Sequence, residues 1–167
     1  MTMRQLNPKQ SAFHRRMINP FIFRSFLLTK IPLGFLCGMK LTHLDTTKSV
    51  STVPFKWLNF NPFKSMYFAV QSMAAEISTG VMAIMASIGY NPSVAVIVTG
   101  FKAKFHKQAK DRVFFICEDG EKLFSAVNKA IETKQGIEVT IHTTGRTSDG
   151  TIVSEFDFTW SFKERNR

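Results

Sequence analysis

Apolar and polar positions recur along this chain with two different periods, and the change of period marks out its elements. Residues 65–88 form an apolar run through Met66, Phe68, Val70, Met73, Ala74, Ala75, Ile77, Val81, Ile84, Met85 and Ile88. The run is rich in Ala and Met, lacks an internal proline and exceeds the length of an ordinary strand, so it predicts a helix. Tyr90-Asn91-Pro92 closes it, because the residue before a proline is pushed out of the helical region. At about 100° per residue, Ser65, Ser72, Glu76, Thr79, Ala83 and Ser87 fall within an arc of roughly 80°. Gln71 and Ser78 are the polar exceptions elsewhere, and no Lys or Arg occurs between Lys64 and Lys102. Such a helix has no face built for water. It must be wrapped by other structure, with one seam of small residues holding a carboxylate.

Elsewhere the period is two. Residues 39–45 and 49–57 read as a strand pair, the second presenting Val53, Phe55 and Trp57 to one side. Residues 94–106 alternate with Ile97, Thr99, Phe101, Ala103 and Phe105 on one face, and Lys102, Lys104 and His106 on the other, outer one. Residues 112–117 form a short aromatic and β-branched strand. Asp119-Gly120-Glu121 then opens a helix with Leu123, Val127, Ala130 and Ile131 on one stripe, ending at Gly136. Residues 137–144 alternate through Val139, Ile141 and Thr143, and Ser148-Asp149-Gly150 is a hairpin turn. Residues 151–163 close the chain with Ile152, Ser154, Phe156, Phe158, Trp160 and Phe162 on one side. A helix apolar nearly all round, flanked by strands apolar on one face, points to an α+β domain: a curved antiparallel sheet wrapped around that helix.

The start of the chain differs. Residues 18–39 are apolar but broken by Pro20, Arg24, Lys30, Pro32 and Gly34. Phe21, Arg24, Leu27 and Leu28, with Phe23 and Phe26 beside them, fit an extra short amphipathic helix. It could cover the domain, lie against a partner subunit or touch a membrane surface, and packing on its own domain is the expectation. Residues 1–17 are basic and poor in apolar side chains, and resemble neither a secretory signal nor a membrane anchor. They are expected as a flexible segment ahead of a single domain over 18–167.

Glu76 is the one acidic side chain between Asp45 and Asp111, in the middle of the most apolar stretch. An ionised carboxylate buried without partners is expensive, so it must be solvated, paired or functional. Three readings stand. A transmembrane span fits the length, but Gln71, Ser72, Glu76, Ser78, Thr79 and Gly80 interrupt it and strands follow. A structural carboxylate held by Ser or Thr is the second. A site carboxylate facing a cleft is the reading adopted.

Composition narrows the chemistry further. The chain has 167 residues, 44% of them hydrophobic, enough for one domain with a substantial core. Its 17 Phe and 8 Met offer large, adaptable apolar contacts suited to a core or an apolar pocket. Only Cys37 and Cys117 occur, without metal-ligand spacing, and His14, His43, His106 and His142 are scattered, so no metal site is expected and a reducing, cytoplasmic setting is the simplest inference. The net charge is +10, but the cations do not interleave with aromatics in a nucleic-acid-binding motif. The charge therefore implies only a general attraction for polyanions, including phosphorylated cofactors. No Ser/His/Asp set on a nucleophile elbow is present, which argues against an ordinary serine hydrolase.

The stretch Asn61-Pro62-Phe63-Lys64-Ser65-Met66-Tyr67-Phe68-Ala69-Val70-Gln71-Ser72-Met73-Ala74-Ala75-Glu76 resembles the central-helix motif of hotdog-fold thioesterases. More closely, the chain is similar to a bacterial branch of that superfamily, a domain of unknown function related to the phenylacetate-type acyl-CoA thioesterases. The likeness extends through Cys117-Glu118-Asp119-Gly120 and Phe158-Thr159-Trp160-Ser161-Phe162 and covers most of the chain from about Ile18. It implies a hotdog fold, a homodimer or dimer of dimers, and hydrolysis or binding of fatty acyl-CoA-like thioesters, with CoA entering only as part of the substrate. It also implies that Glu76 is base or nucleophile. Asn61 would orient substrate or water, although an Asn-Pro turn residue is an equal reading. In those relatives His-Gly-Gly precedes the acid by six residues; here Tyr67, Phe68 and Ala69 stand in its place. Free N–H groups around Ser65 to Phe68 would polarise the thioester carbonyl. Ser72 and Thr79 would hold the carboxylate or face it across a dimer interface, and Ser65, Tyr67, Phe68, Ser72 and Thr79 would line the substrate pocket. The competing expectation is a non-catalytic pocket for an acyl chain or fatty acid, with Glu76 structural.

Overall fold

The computed structural model describes residues 5–165. In chain order the elements are α1 (Pro8–Met17), α2 (Pro20–Lys30), α3 (Pro32–Cys37), β1 (Lys40–Leu44), β2 (Ser49–Val53), a 3-10 turn (Trp57–Asn59), α4 (Phe68–Ser87), β3 (Val94–Phe105), β4 (Val113–Cys117), α5 (Gly120–Thr133), β5 (Ile137–Thr147) and β6 (Ile152–Glu164). The six strands form one antiparallel sheet in the order β1-β2-β4-β5-β6-β3, so β1 and β3 are its edges. α4 touches β2, β3, β4, β5 and β6, with α5 alongside. The sheet curls about a central helix, as the patterning requires. By length and composition α4 could cross a membrane, but 67% of its most apolar stretch is buried inside this fold.

Burial follows sequence where strands run straight. β6 buries Ser154, Phe156, Phe158, Trp160 and Phe162, and β5 buries Ile141 and Thr143. Polar pairs then pin the helix to this inner face. The Ser78 hydroxyl lies 2.8 Å from that of Thr143, Ser154 Oγ donates to Gln71 Oε1 at 2.9 Å, and Trp160 Nε1 donates to Thr79 Oγ1 at 3.2 Å. Each such bond stabilises by about 1 kcal/mol, and leaving one partner unmade costs about 1–3 kcal/mol. Apolar packing alone tolerates rotation of a helix about its axis; these pairs do not.

Four local expectations need correction. The central helix begins at Phe68 rather than Ser65, because the 61–65 turn and the isolated bridge from Phe60 to Met66 use the preceding backbone. β2 stops at Val53 because Pro54 has no N–H to donate to the ladder, and Trp57 ends 80% exposed on the 3-10 turn. α5 ends with Lys134 in the left-handed region (φ 56°), ahead of Gly136. On α2 the buried stripe is Phe23 and Leu27, whereas Phe21 and Leu28 face outward.

β3 differs more deeply. Its register against β6 shifts between Val98 and Gly100, leaving Thr99 as the extra residue of a bulge. Cross-strand partners share a face. Val96 and Val98 therefore point inward with Phe162 and Trp160, and beyond the bulge the inward set becomes Phe101, Ala103 and Phe105, opposite Phe158, Phe156 and Ser154. The single face read from 97 to 105 is thus split: Ile97 and Thr99 lie outside, Phe101 to Phe105 inside. Lys102 and Lys104 lie on the outer face as expected, opposite Asp157 and Glu155.

The flexible segment expected over 1–17 is ordered for most of its length; its first four residues lie outside the described ones, and the rest is structured from Asn7 onward. Asn7 and Gln10 form a reciprocal capping box at the start of α1. Their free amide groups reach α4: Asn7 Nδ2 donates to Ile88 O at 3.1 Å and Gln10 Nε2 to Ala86 O at 3.2 Å. The last carbonyls of a helix have no intrahelical partner, and α1 supplies two donors to them. Gly89 (φ 89°) admits this contact, since a Cβ there would collide with the Asn7 side chain.

A tight contact also sets α5 against the β1–β2 turn. Gly120 donates its N–H to Thr47 O, and a Cβ at Gly120 would overlap the backbone of Thr46 and Thr47. Backbone cannot give way as a flexible side chain can. Gly120→Ala is expected to cost about 1–3 kcal/mol, read as a lowered thermal midpoint with the circular dichroism of the folded state retained.

Candidate active site

Two separate stretches, the segment leading into α4 and the middle of α4 itself, carry the expected residues. The first is the start of α4. Asn61 Oδ1 accepts from Phe63 N at 3.0 Å, from Ser65 N at 3.2 Å and from Ser65 Oγ at 3.2 Å, while Asn61 N donates to Ser65 O at 2.9 Å. The side-chain carbonyl of Asn61 thus holds a turn in which Lys64 takes a positive φ of 56°. The turn role is shown for its oxygen. Its amide nitrogen remains for other work.

Asn61, Ser65 and Phe68 line a cleft of about 330 Å³ with Phe63, Gln71 and Phe105, and Lys107 forms part of the same wall. Gln71 is the member that sequence reading misses. Periodicity marks it only as a polar exception on the helix, yet it is buried and anchored at both ends, by Nε2 to Met66 O and by Oε1 to Ser154. Tyr67 and Phe68 are half exposed and meet edge to face, and Phe68 extends the contact to Phe105 across the gap to β3.

The expected donor set, Ser65 to Phe68, keeps only its last member. Ser65 N–H goes to Asn61, Met66 N–H to Ala109 O and Tyr67 N–H to Asn59 O. Those three are occupied. Among the described residues nothing accepts from the N–H groups of Phe68 and Ala69, the first two of α4. They are aimed along the positive end of the helix dipole, where a developing oxyanion is favoured.

The second stretch centres on Glu76, about 12 Å further along the axis, and Glu76 is not among the walls of the first cleft. Phe68, Ala69, Ser72, Met73 and Glu76 are the positions along the first half of α4 that solvent reaches, whereas Thr79, Ala83 and Ser87 are buried. The seam therefore opens only at its N-terminal end. The Glu76 side chain folds back over Gly80: a Cβ at Gly80 would come within 2.7 Å of Glu76 Oε1 and 3.3 Å of the Trp160 ring. Glycine here makes room for the carboxylate beside the indole.

Neither expected holder grips that carboxylate. Thr79 Oγ1 donates to the Glu76 backbone carbonyl and accepts from Trp160, and Ser72 Oγ donates to Phe68 O. Short hydroxyl side chains on a helix reach the preceding turn's carbonyl more easily than a neighbour's side chain. With no hydrogen bond or cation among the described residues to favour the charged form, burial pushes the Glu76 carboxyl up to about 6. Such a group is a better proton acceptor near neutrality than an ordinary glutamate. Cys37 and Cys117 are both buried free thiols away from this chemistry, and burial pushes Cys117 up to about 12.

A family model described as a domain of unknown function, DUF4442, matches residues 21–162. No curated protein gives a significant match. Solved structures do. A Pseudomonas aeruginosa protein of unknown function, described as a "probable thioesterase", superposes with a TM-score of 0.73 at 18% identity, over 90% of this chain and 99% of that one. A Haemophilus influenzae thioesterase gives 0.60 at 10% identity, over 87% and 91%. A Staphylococcus aureus thioesterase, solved as a glutamate-to-alanine and a glutamine-to-alanine variant, gives 0.60 and 0.59 at 14% identity, over 80% and 79% of this chain and 99% and 98% of those. The architecture is the hotdog fold.

The shifted carboxyl has a consequence for stability. A pKa raised in the folded state means that folding favours the protonated form, so the contribution is full below the unfolded value near 4.5 and is lost as pH rises through about 6. Glu76→Gln removes that loss. The variant is expected to match the parent at pH 4 and to exceed it at pH 8 by up to about 2 kcal/mol, measured by urea unfolding at both pH values.

Proposed function

The chain belongs to the DUF4442 family, and we propose that it is a thioesterase of the hotdog type acting on fatty acyl-CoA-like thioesters. The observation that carries this reading is Glu76: a partly buried carboxylate with no partner among the described residues, raised by burial to about 6, beside the Trp160 ring. Spacing supports it. The glutamine and the glutamate replaced in the staphylococcal thioesterase are fifteen positions apart, as Asn61 and Glu76 are here.

In the proposed reaction Glu76 takes a proton from water, and the water oxygen attacks the thioester carbonyl carbon. The N–H groups of Phe68 and Ala69 receive the developing oxyanion. Collapse of the tetrahedral intermediate breaks the C–S bond, and the proton held by Glu76 passes to the departing thiolate. Asn61 Nδ2 orients substrate or water from the cleft wall. Phe68, Phe101 and Phe105 take the acyl chain, while Lys107 meets the CoA phosphates at the cleft.

On one chain the helix-start amides and Glu76 are too far apart to serve one carbonyl. A second copy resolves this. β3 is an unpaired edge with Ile97, Phe101 and Phe105 exposed at 64%, 57% and 45%, a strand that natural sheets cover. Pairing two β3 edges about a two-fold axis normal to the sheet leaves both α4 helices on one face and antiparallel. The start of one helix then faces the Glu76 region of the other, and Ser72 and Tyr67 lie at the junction.

Two experiments test the proposal. Acyl-CoAs of increasing chain length, assayed by released thiol, should be hydrolysed best at medium or long chain, since each buried methylene adds about 0.8 kcal/mol. Glu76→Gln should reduce turnover by about 10²–10⁴-fold, and the parent's kcat/KM should rise with pH through about 6. Undiminished hydrolysis by the folded variant would overturn the catalytic role, and fatty acid retained without hydrolysis would establish the binding reading instead. Separately, sedimentation equilibrium should show a dimer at micromolar protein and dissociation of Ile97→Lys; a monomeric parent would contradict the shared site.

A further inference from the structure

α2 and α3 show water an outward face that an ordinary surface helix does not. α2 packs Phe23 and Leu27 inward, yet Phe21 and Leu28 project from its opposite side, 83% and 55% exposed. α3 repeats the arrangement: Gly34 and Cys37 are buried, while Leu33 and Leu36, one turn apart, are 62% and 55% exposed. The two helices are packed together and follow each other in the chain, which puts these four exposed side chains on adjoining elements. Scattered exposed leucines are normal, but four large apolar tips on two adjoining short helices form a patch.

Cations frame it. Arg15 and Arg16 sit in the last turn of α1, Lys30 ends α2, and Arg24 stacks over Phe35 at 4.2 Å with its charge still at the surface. No Asp or Glu occurs anywhere before Asp45. A groove of about 360 Å³ runs between α2 and β1, with Phe21, Phe23, Met39 and Leu41 as apolar walls and Arg24 and Lys40 exposed at its rim.

These observations select an occupant. A second copy would have to present the same patch to itself about a two-fold axis, setting arginine against arginine with no acid to relieve them. A nucleic acid would meet the cations, but its phosphates gain nothing from aliphatic tips. Apolar tips with cations on the same and adjoining helices, beside an apolar groove with two positive groups at its mouth, match a surface that offers anions above hydrocarbon.

We propose that the outward face of α2 and α3 docks this protein on anionic phospholipid bilayers. Phe21, Leu28, Leu33 and Leu36 enter the headgroup–acyl boundary, and Arg15, Arg16, Arg24 and Lys30 meet the lipid phosphates. The docking does not depend on the chemistry at Glu76.

Co-sedimentation of the full chain with vesicles tests this. Binding is expected to vesicles of phosphatidylcholine mixed with phosphatidylglycerol, and not to phosphatidylcholine alone, and should weaken as salt is raised. Joint replacement Phe21→Ser and Leu28→Ser should weaken binding about tenfold or more with the thermal midpoint unchanged because both side chains are exposed, and Arg24→Gln should weaken it about fivefold with only a small drop in midpoint from the lost stacking on Phe35. Failure of the parent to bind phosphatidylglycerol vesicles would overturn the proposal. So would binding that the Phe21/Leu28 replacement leaves intact, which marks simple charge attraction. A drop in oligomeric state caused by that replacement, seen by sedimentation without lipid, would assign the face to a second copy and overturn it equally.

Discussion

A helix with apolar residues around most of its circumference can meet water along only a narrow strip, and the architecture answers that constraint. α4 is sheathed by five strands of the sheet and by α5, and its carbonyl end is closed by amides from α1. Hydrophobic burial brings these layers together but carries no direction. Direction comes from the hydroxyl and amide pairs Gln71–Ser154, Ser78–Thr143 and Thr79–Trp160. In a low-dielectric interior an unmade pair is costly, so the helix has one rotation that satisfies all three. That rotation leaves Ser72 and Glu76 at the open side.

The open side exists because β3 outruns its cover. The bulge at Thr99 turns Phe101, Ala103 and Phe105 inward, yet they remain exposed, at the end of the sheet where Phe68 of α4 meets Phe105 edge to face. Phe101 stacks on Phe158 and Phe105 meets Phe156 edge to face, so the aromatic inner face of β6 continues without a break to the sheet margin. Bulges commonly sit at edges and re-aim side chains. Here the re-aimed Phe105 walls the cleft at the start of α4, while the carboxylate of Glu76 stands further along the helix beside Gly80 and the Trp160 ring.

That unpartnered state ties energetics to chemistry. The same burial that makes Glu76 costly when ionised raises its affinity for a proton into the range where it can accept one and return it. Gly80 keeps the space open, and Thr79 is held off the carboxylate by its bonds to Trp160 and to the backbone. A hydrogen bond from either neighbour would stabilise the charged form and lower the pKa. The local structure withholds it.

Much of this is legible in the chain itself. The long apolar run, the lone Glu76, the inward stripes of β5 and β6 and the order of elements all derive from periodicity, because burial on a regular helix or strand repeats with the backbone's own period. The α+β class and the central position of α4 come with them. What sequence could not hold was every feature set by a partner distant along the chain. The phase of β3 changes at a bulge that only its pairing with β6 reveals. α1 is ordered by carbonyls some eighty residues away, so composition alone marks it as loose. Ser65 lies off the helix and Thr79 off the carboxylate because Asn61 and Trp160 bind them first. Local periodicity fixes which side of an element is apolar; competition among hydrogen-bonding partners, decided only when the chain is closed, determines which polar groups are left free to act.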